Sequence, residues 1–230
     1  MKILACDTST KILSVAILDN DTVLKKYHYG EEGGSDYLFV VIDKFLKALK
    51  IKLADFDLFG VGTGPGSFTG LRISTCAFKT FAFCANKPLC GISSFDAIAY
   101  NFKNAGMPVC VAEDAKKNKI YAAFYDLDKK GVLQTRRKCA LFTVEDLLKK
   151  IKGPLVIAGG AIERYKEVFL SVKNKDLSLA EEELWYPRAE IIGQLAKENF
   201  SRGENDDVFD LAPVYLHSEK ANITKPKKLK

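Results

Sequence analysis

Histidine is nearly absent from this chain: of 230 residues, two are histidines, His28 and His217. One sits in a strand-like run and the other close to the C-terminus. Neither H-x-x-x-H nor H-E-x-x-H spacing exists, so a histidine-ligated metal centre is not expected. A Ser/His/Asp relay is equally unreadable, because neither histidine stands in a recognisable catalytic motif. C-x-x-C pairs are missing too. Cys6, Cys76, Cys84, Cys90, Cys110 and Cys139 are scattered through apparent strands and helices. They read as buried thiols in a reducing cytoplasm rather than as disulfides or a metal site. No apolar run approaches the length of a membrane span, and the strand-like opening at 2–6 leaves no room for the basic and apolar regions of a secretory leader. A cytoplasmic location without a membrane is therefore expected. Core material is ample, since 47% of residues are apolar; that suffices for one large domain or two small ones and excludes disorder throughout.

Glycine, by contrast, is concentrated. Gly62-Thr63-Gly64-Pro65-Gly66-Ser67-Phe68-Thr69-Gly70-Leu71-Arg72 places four glycines and a proline after the apolar run Leu58-Phe59-Gly60-Val61. Beyond Ser67 the residues Ile73, Ala77, Phe78, Phe81 and Ala82 recur at helical spacing. The stretch reads as strand, bent loop and helix start, with glycines free to take positive φ. Such a loop aims backbone N–H groups at one spot, which suits a phosphate or carboxylate, or it is simply a tight, closely packed turn. A Walker loop is excluded because no lysine is present. A G-x-G-x-x-G dinucleotide fingerprint is excluded as well, because its third glycine falls on Ser67 or Thr69.

Runs at 2–6, 13–18 and 22–29, separated by Asp7-Thr8-Ser9-Thr10-Lys11 and Asp19-Asn20-Asp21, predict an antiparallel meander. Ser35 or Asp36 caps a helix to about Leu49. A strand at 58–61, the glycine loop, a helix to about Asn86, a strand at 89–92 and a helix from Ser94 complete a unit in the order βββαβαβα. The second half echoes this. Ile3-Leu4-Ala5-Cys6-Asp7 falls on Cys110-Val111-Ala112-Glu113-Asp114, and at the same offset Leu13 to Leu18 fall on Ile120 to Tyr125. A duplicated domain explains both matches, with domains at 1–104 and 105–216 and a basic tail at 217–230. Beyond the echo, a helix at 143–150, a strand at 155–158, a helix at 187–201 and a strand at 213–216 describe a second unit that looks eroded. Two helices of the first unit are more apolar than one buried face requires. Tyr37, Leu38, Val41 and Phe45 lie among apolar neighbours most of the way round one, and Ile73, Ala77, Phe78 and Phe81 belong to the other. Burial inside the domain and a surface for a partner both satisfy that pattern.

The glycine loop resembles, over its whole length, the GPGSFTGLRIG signature of the TsaB family, with Ser74 in place of the last glycine. Ile3-Leu4-Ala5-Cys6-Asp7-Thr8-Ser9-Thr10 is similar to the family's opening. Lys87-Pro88-Leu89-Cys90-Gly91-Ile92-Ser93-Ser94 is similar to the end of its first domain, and Ala212-Pro213-Val214-Tyr215-Leu216 to its closing strand. The resemblance implies an α/β fold of two actin/Hsp70/sugar-kinase (ASKHA) domains. It also implies a non-catalytic scaffold that pairs with TsaD and supports N6-threonylcarbamoylation of the tRNA adenosine beside the anticodon. A free-standing ATP-dependent kinase of the same superfamily is the alternative.

In that superfamily the two hairpin turns face a nucleotide, which puts Asp7, Thr8, Ser9 and Asp114 forward as nucleotide-binding candidates. Carboxylates and hydroxyls of that kind suit magnesium and phosphate, yet they also form self-bonded turns. The second turn lacks glycine and hydroxyls, and Lys116 stands where the family usually has arginine. The chain alone is thus expected to carry no cofactor, with ATP or ADP at an interface with its partner. Expected partners are a TsaD-like catalytic subunit, a second copy of this chain when alone, a further ATPase subunit, and tRNA through the complex. TsaD carries an iron-ligating histidine pair on the helix that spans 36–49 here, where this chain has no histidine; many TsaB sequences begin that helix with His-Ser where Gly34-Ser35 stands. The tail from His217 holds Lys220, Lys225, Lys227, Lys228 and Lys230 against Glu219, and reads as a solvated terminus or a weak contact with tRNA.

Overall fold

The computed structural model describes residues 1–30, 34–128, 133–172 and 177–216; the expected basic tail lies outside the described residues. β1 (Lys2–Asp7), β2 (Leu13–Asp19) and β3 (Thr22–Tyr29) form the antiparallel meander. β4 (Leu58–Gly62) and β5 (Leu89–Ile92) extend it in parallel, and the sheet order is β3-β2-β1-β4-β5. β1 and β4 read as continuous apolar runs because both of their faces are covered. On one face lie α1 (Leu38–Leu49), entered through a 3₁₀ turn at Gly34–Tyr37, and α2 (Phe68–Ala85). Leu4, Cys6, Val15 and Ile17 meet Leu38, Val41, Phe59 and Phe78 there.

After α3 (Ser94–Tyr100), β6 (Val109–Asp114), β7 (Lys119–Leu127) and β8 (Leu133–Thr143) repeat the meander. β9 (Leu155–Ala158) and β10 (Leu177–Leu179) give the order β10-β9-β6-β7-β8, the first sheet's order read from the other end. α4 (Val144–Lys150) and α5 (Ala161–Leu170) cover the face equivalent to that under α1 and α2. The second unit, expected to be eroded, is complete in order and shortened in its helices. α4 has 7 residues against 12 in α1, and α5 has 10 against 18 in α2. β8, α5 and β10 escaped the sequence pattern. β8 is an exposed edge strand whose middle reads Arg136-Arg137-Lys138, so it lacks an apolar alternation.

The last helix of each unit crosses to the other sheet. Phe95, Ile98 and Ala99 of α3 pack with Val109, Val111 and Ala123 of the second sheet. Ala189, Ile192 and Ala196 of α6 (Ala189–Ser201) pack with Ile3, Ala5 and Leu18 of the first. Gly60 makes room for α6, since a Cβ there would stand 3.0 Å from that of Ala196. α6 therefore lies within 105–216 in the chain and within the first unit in space; chain order records connection, whereas apolar cover goes to whichever sheet face lacks it. Arg188 precedes this helix, so Pro187 is outside it. The strand expected at 213–216 is an extended segment instead, held where the Val214 amide donates to the Thr63 carbonyl at 2.9 Å. Among the described residues no helix is long and apolar enough to cross a membrane.

The strand register corrects the internal echo. Cys6 pairs with Val15 and faces α1 and α2, whereas Ala112 pairs with Ala122 and faces α4 and α5. Cys6 is thus matched by Ala112, and Asp7 by Glu113 rather than by Asp114. The second turn is one residue longer, and an ungapped offset cannot see this because a one-residue slip moves every side chain to the opposite face.

Candidate functional site

The two hairpin turns face each other across a cleft of about 890 Å³ lined by Ser9, Lys11, Gly66, Glu113, Lys116 and Arg164 among others. The first turn is closed upon itself. Asp7 is buried: its Oδ1 accepts from the Ser9 amide at 2.8 Å and the Ser9 hydroxyl at 2.6 Å, and its Oδ2 accepts from the Ser94 hydroxyl at 2.6 Å. Burial raises the Asp7 carboxyl above its ordinary value against these hydrogen bonds, which lower it. The Thr8 hydroxyl donates to the Gly70 carbonyl at 2.7 Å and lies 2.7 Å from the Ser74 hydroxyl.

The glycine loop seals this turn. The Ser67 amide donates to the Ser9 carbonyl at 2.6 Å, and the Ser94 amide donates to the Gly64 carbonyl at 3.0 Å. Added Cβ atoms would overlap the Ser9 carbonyl at Gly66, the Thr8 carbonyl at Gly70 and the Asp7 carboxylate at Gly62. Gly66 and Gly70 serve close approach of two backbones, the Ser67 amide is spent on the neighbouring turn, and the Gly64 amide donates to the Ser94 hydroxyl at 3.0 Å. Ser67 caps α2 through the Gly70 amide at 3.3 Å. Pro65 is buried in the loop, and Thr69 is exposed in the first turn of the helix.

The second turn is built differently. Lys116, Lys117 and Asn118 hold φ of 62°, 51° and 58°, three successive left-handed residues without a glycine. Asp114 accepts from the Lys116 amide at 2.9 Å, and its other oxygen lies 3.3 Å from the Lys116 ammonium and 3.5 Å from Arg164. Burial works to raise the Asp114 carboxyl, but Lys116 and Arg164 outweigh it and hold it below its ordinary value. Glu113, which sequence reasoning missed, accepts from the Gly160 amide at 2.9 Å. Burial pushes its carboxyl up to about 7; the Gly160 bond opposes this, and Asp7, Asp114 and Glu163 add to it. Lys11 of the first unit meets Glu163 of α5 at 2.8 Å across the cleft.

The helical face resolves the other set of candidates. Leu38, Val41, Ala77 and Phe78 are core, at 5% exposure or less, which corrects their expected place at a partner surface. Hydrophobicity showed a band wider than one face but could not say which part of it turns inward. Phe45, Ile73 and Phe81 are half-buried at the margin. Tyr37 at 44%, Phe39 at 52% and Val40 at 45% are outward at the start of α1, Phe68 and Phe83 are outward on α2, and Phe39 meets Phe81 edge-on at 6.3 Å. At the far end of the face, Arg72 stacks 3.9 Å from the Phe68 ring and donates to the Tyr215 hydroxyl at 3.2 Å. The signature loop and the C-terminal segment are thereby joined.

Two equally ordered sheets, exchanged last helices and hairpin turns facing across a cleft define a protein of the actin/Hsp70/sugar-kinase class. The inorganic polyphosphate/ATP-glucomannokinase of Arthrobacter sp. strain KM shares the fold at a TM-score of 0.51 and 13% identity, covering 87% of this chain and 99% of that chain. YeaZ from Pseudomonas aeruginosa is similar at a TM-score of 0.78 and 26% identity over 94% of this chain and 99% of that chain. The tRNA threonylcarbamoyladenosine biosynthesis proteins TsaB of Escherichia coli (strain K12) and Bacillus subtilis (strain 168) are each 28% identical over 96% of both chains. Residues 34–206 match the model of the family described as TsaD: tRNA N6-adenosine threonylcarbamoyltransferase. The chain belongs to this family, on its TsaB branch.

Proposed function

We propose that this chain is a non-catalytic subunit in the biosynthesis of tRNA threonylcarbamoyladenosine, and that it pairs with a TsaD-like catalytic subunit through the outer face of α1 and α2. The observation that carries this is the set Tyr37, Phe39 and Val40, exposed at the start of α1, a helix whose inner face is already filled. An apolar strip with its own core satisfied is stabilised by a partner rather than by further folding. The names borne by the TsaB relatives supply the pathway. When the partner is absent, the same face pairs two copies. ATP or ADP then belongs at the interface with the partner or with a further ATPase subunit, because the Asp7–Ser9 donors and acceptors are engaged within the chain. tRNA is reached through the complex.

Substituting Phe39→Glu or Val40→Glu places a carboxylate that stays solvated in the free chain and is buried on pairing. Thermal unfolding of the isolated chain should be unchanged, while affinity for the TsaD-like subunit of the same cell falls roughly a hundredfold or more. Pairing at undiminished affinity would remove α1 from the interface. Calorimetry of the isolated chain with ATP should show no saturable binding; micromolar binding abolished by Asp7→Ala would instead support the kinase reading.

A further inference from the structure

β8 is the outer edge of the second sheet, and it carries no acidic residue from Leu133 to Thr143. From 134 to 152 the chain holds six basic side chains against two acidic ones, Glu145 and Asp146. Two of the six are engaged: Arg136 with Asp126 at 3.3 Å and Lys149 with Asp146 at 3.2 Å. Arg137, Lys138, Lys150 and Lys152 are exposed, with no acidic side chain at ion-pair distance among the described residues. The fold sets β8 beside α4. The register between β7 and β8 shifts on both sides of the Phe124–Arg137 pair, the Arg136 guanidinium stands 5.4 Å over the Phe124 ring, and Phe124 packs with Leu147 and Ile151 at α4. Arg136 thus marks the α4 side of the sheet edge; Arg137 and Lys138 follow it on the strand, and Lys150 and Lys152 flank Ile151.

Cations on an edge strand also prevent strand addition, and β3, the equivalent edge, has Lys25 and Lys26 for that purpose, with Lys26 paired to Glu190 at 3.4 Å. β8 with α4 goes further, because most of its charge is left unneutralised. No large apolar residue between 134 and 152 is exposed, so the surface lacks the anchor that a protein interface centres on. Exposed aromatics for base stacking are missing there as well, which leaves contact with a phosphate backbone, for which arginine is suited by its bidentate fork.

We propose that the β8–α4 edge is a contact surface for the sugar-phosphate backbone of RNA, reading charge and not base sequence. This rests on the reading that the chain works in a tRNA-modifying complex.

The test is binding of an unmodified tRNA transcript, by fluorescence anisotropy over a salt series, to the isolated chain and to its complex with the TsaD-like subunit. The variant Arg137→Gln/Lys138→Gln/Lys150→Gln is compared with a control, Lys25→Gln/Lys52→Gln/Lys166→Gln, which removes equal charge elsewhere. Each lost phosphate contact lowers the log–log salt slope by about 0.7–0.9, so the first variant should flatten the slope by about 2–3 and weaken binding about tenfold. The control should retain slope and affinity. Equal weakening by both variants, no change in either, or no RNA binding by the wild type overturns the proposal. So does loss of pairing with the TsaD-like subunit at undiminished RNA affinity, which would make the edge a protein contact. Pairing of the wild type is measured on the same samples. Its failure sinks the scaffold reading and leaves the RNA result on the isolated chain standing.

Discussion

The two hairpin turns of this duplicated fold occupy equivalent places and solve opposite problems. The first is held by glycines that let a loop lie directly on it, so Asp7, Thr8 and Ser9 are fully engaged inside the chain. The second has no such loop: it is longer, left-handed at Lys116, Lys117 and Asn118, and open to the cleft beside Glu113. Equal topology thus does not carry equal chemistry. What the first turn can do is decided by the loop after β4, and its counterpart after β9 is the short Gly159-Gly160 step.

The sharpest way to break this comparison is to add one methyl group on each side. At Gly66 a Cβ meets the Ser9 backbone carbonyl, which cannot move without opening the turn, so Gly66→Ala should destabilise the chain by about 3 kcal/mol or more. At Gly160 the added Cβ meets the far end of the Glu113 side chain at 2.6 Å, which can swing, and the loss should stay near 1 kcal/mol. Thermal denaturation of both variants measures the difference. Equal losses would mean that the loop does not clamp the first turn.

A second, smaller effect separates the buried carboxylates by pH. The folded value of Glu113 is about 7 against an ordinary 4.5, so between these values the folded chain binds more protons than the unfolded one. The stabilising contribution is complete below pH 4.5 and is lost as pH rises to 7, by up to about 3 kcal/mol. Glu113→Gln should keep a partner for the Gly160 amide and remove that slope. Melting curves from pH 5 to pH 8 should show the variant gaining on the wild type as pH rises, and parallel curves would place the Glu113 carboxyl in water.

The smallest effect concerns what joins the halves. Lys11 and Glu163 are both more than half exposed, so Lys11→Met should change stability by no more than about 0.5 kcal/mol, and less still in high salt. The exchanged helices α3 and α6 hold the units together instead. A larger loss in urea denaturation would make the ion pair a clasp.

How much of this was legible follows from what each signal depends on. The strand at 58–61, a helix that starts beyond Ser67 and its end near Asn86 follow from local residue chemistry, and the structure has them. Val41 and Phe39 look alike in sequence, and only packing made one core and the other surface, because an apolar band most of the way round a helix has no readable inside. Glu113 was hidden behind Asp114, since one inserted residue in a turn alters no composition but shifts which side chain is the equivalent of Asp7. β8 was hidden by its own charge.

The sequence by itself determined the family and the elements of the first unit in their order, because strand alternation, helix starts and a glycine-dense loop are properties of neighbouring residues. Tertiary structure decided the rest: that α6 completes the first sheet, that the loop's glycines serve backbone contact, and which apolar residues remain outside. Each of these depends on surfaces brought together from distant parts of the chain, where burial of one face against another, rather than local propensity, sets the free energy.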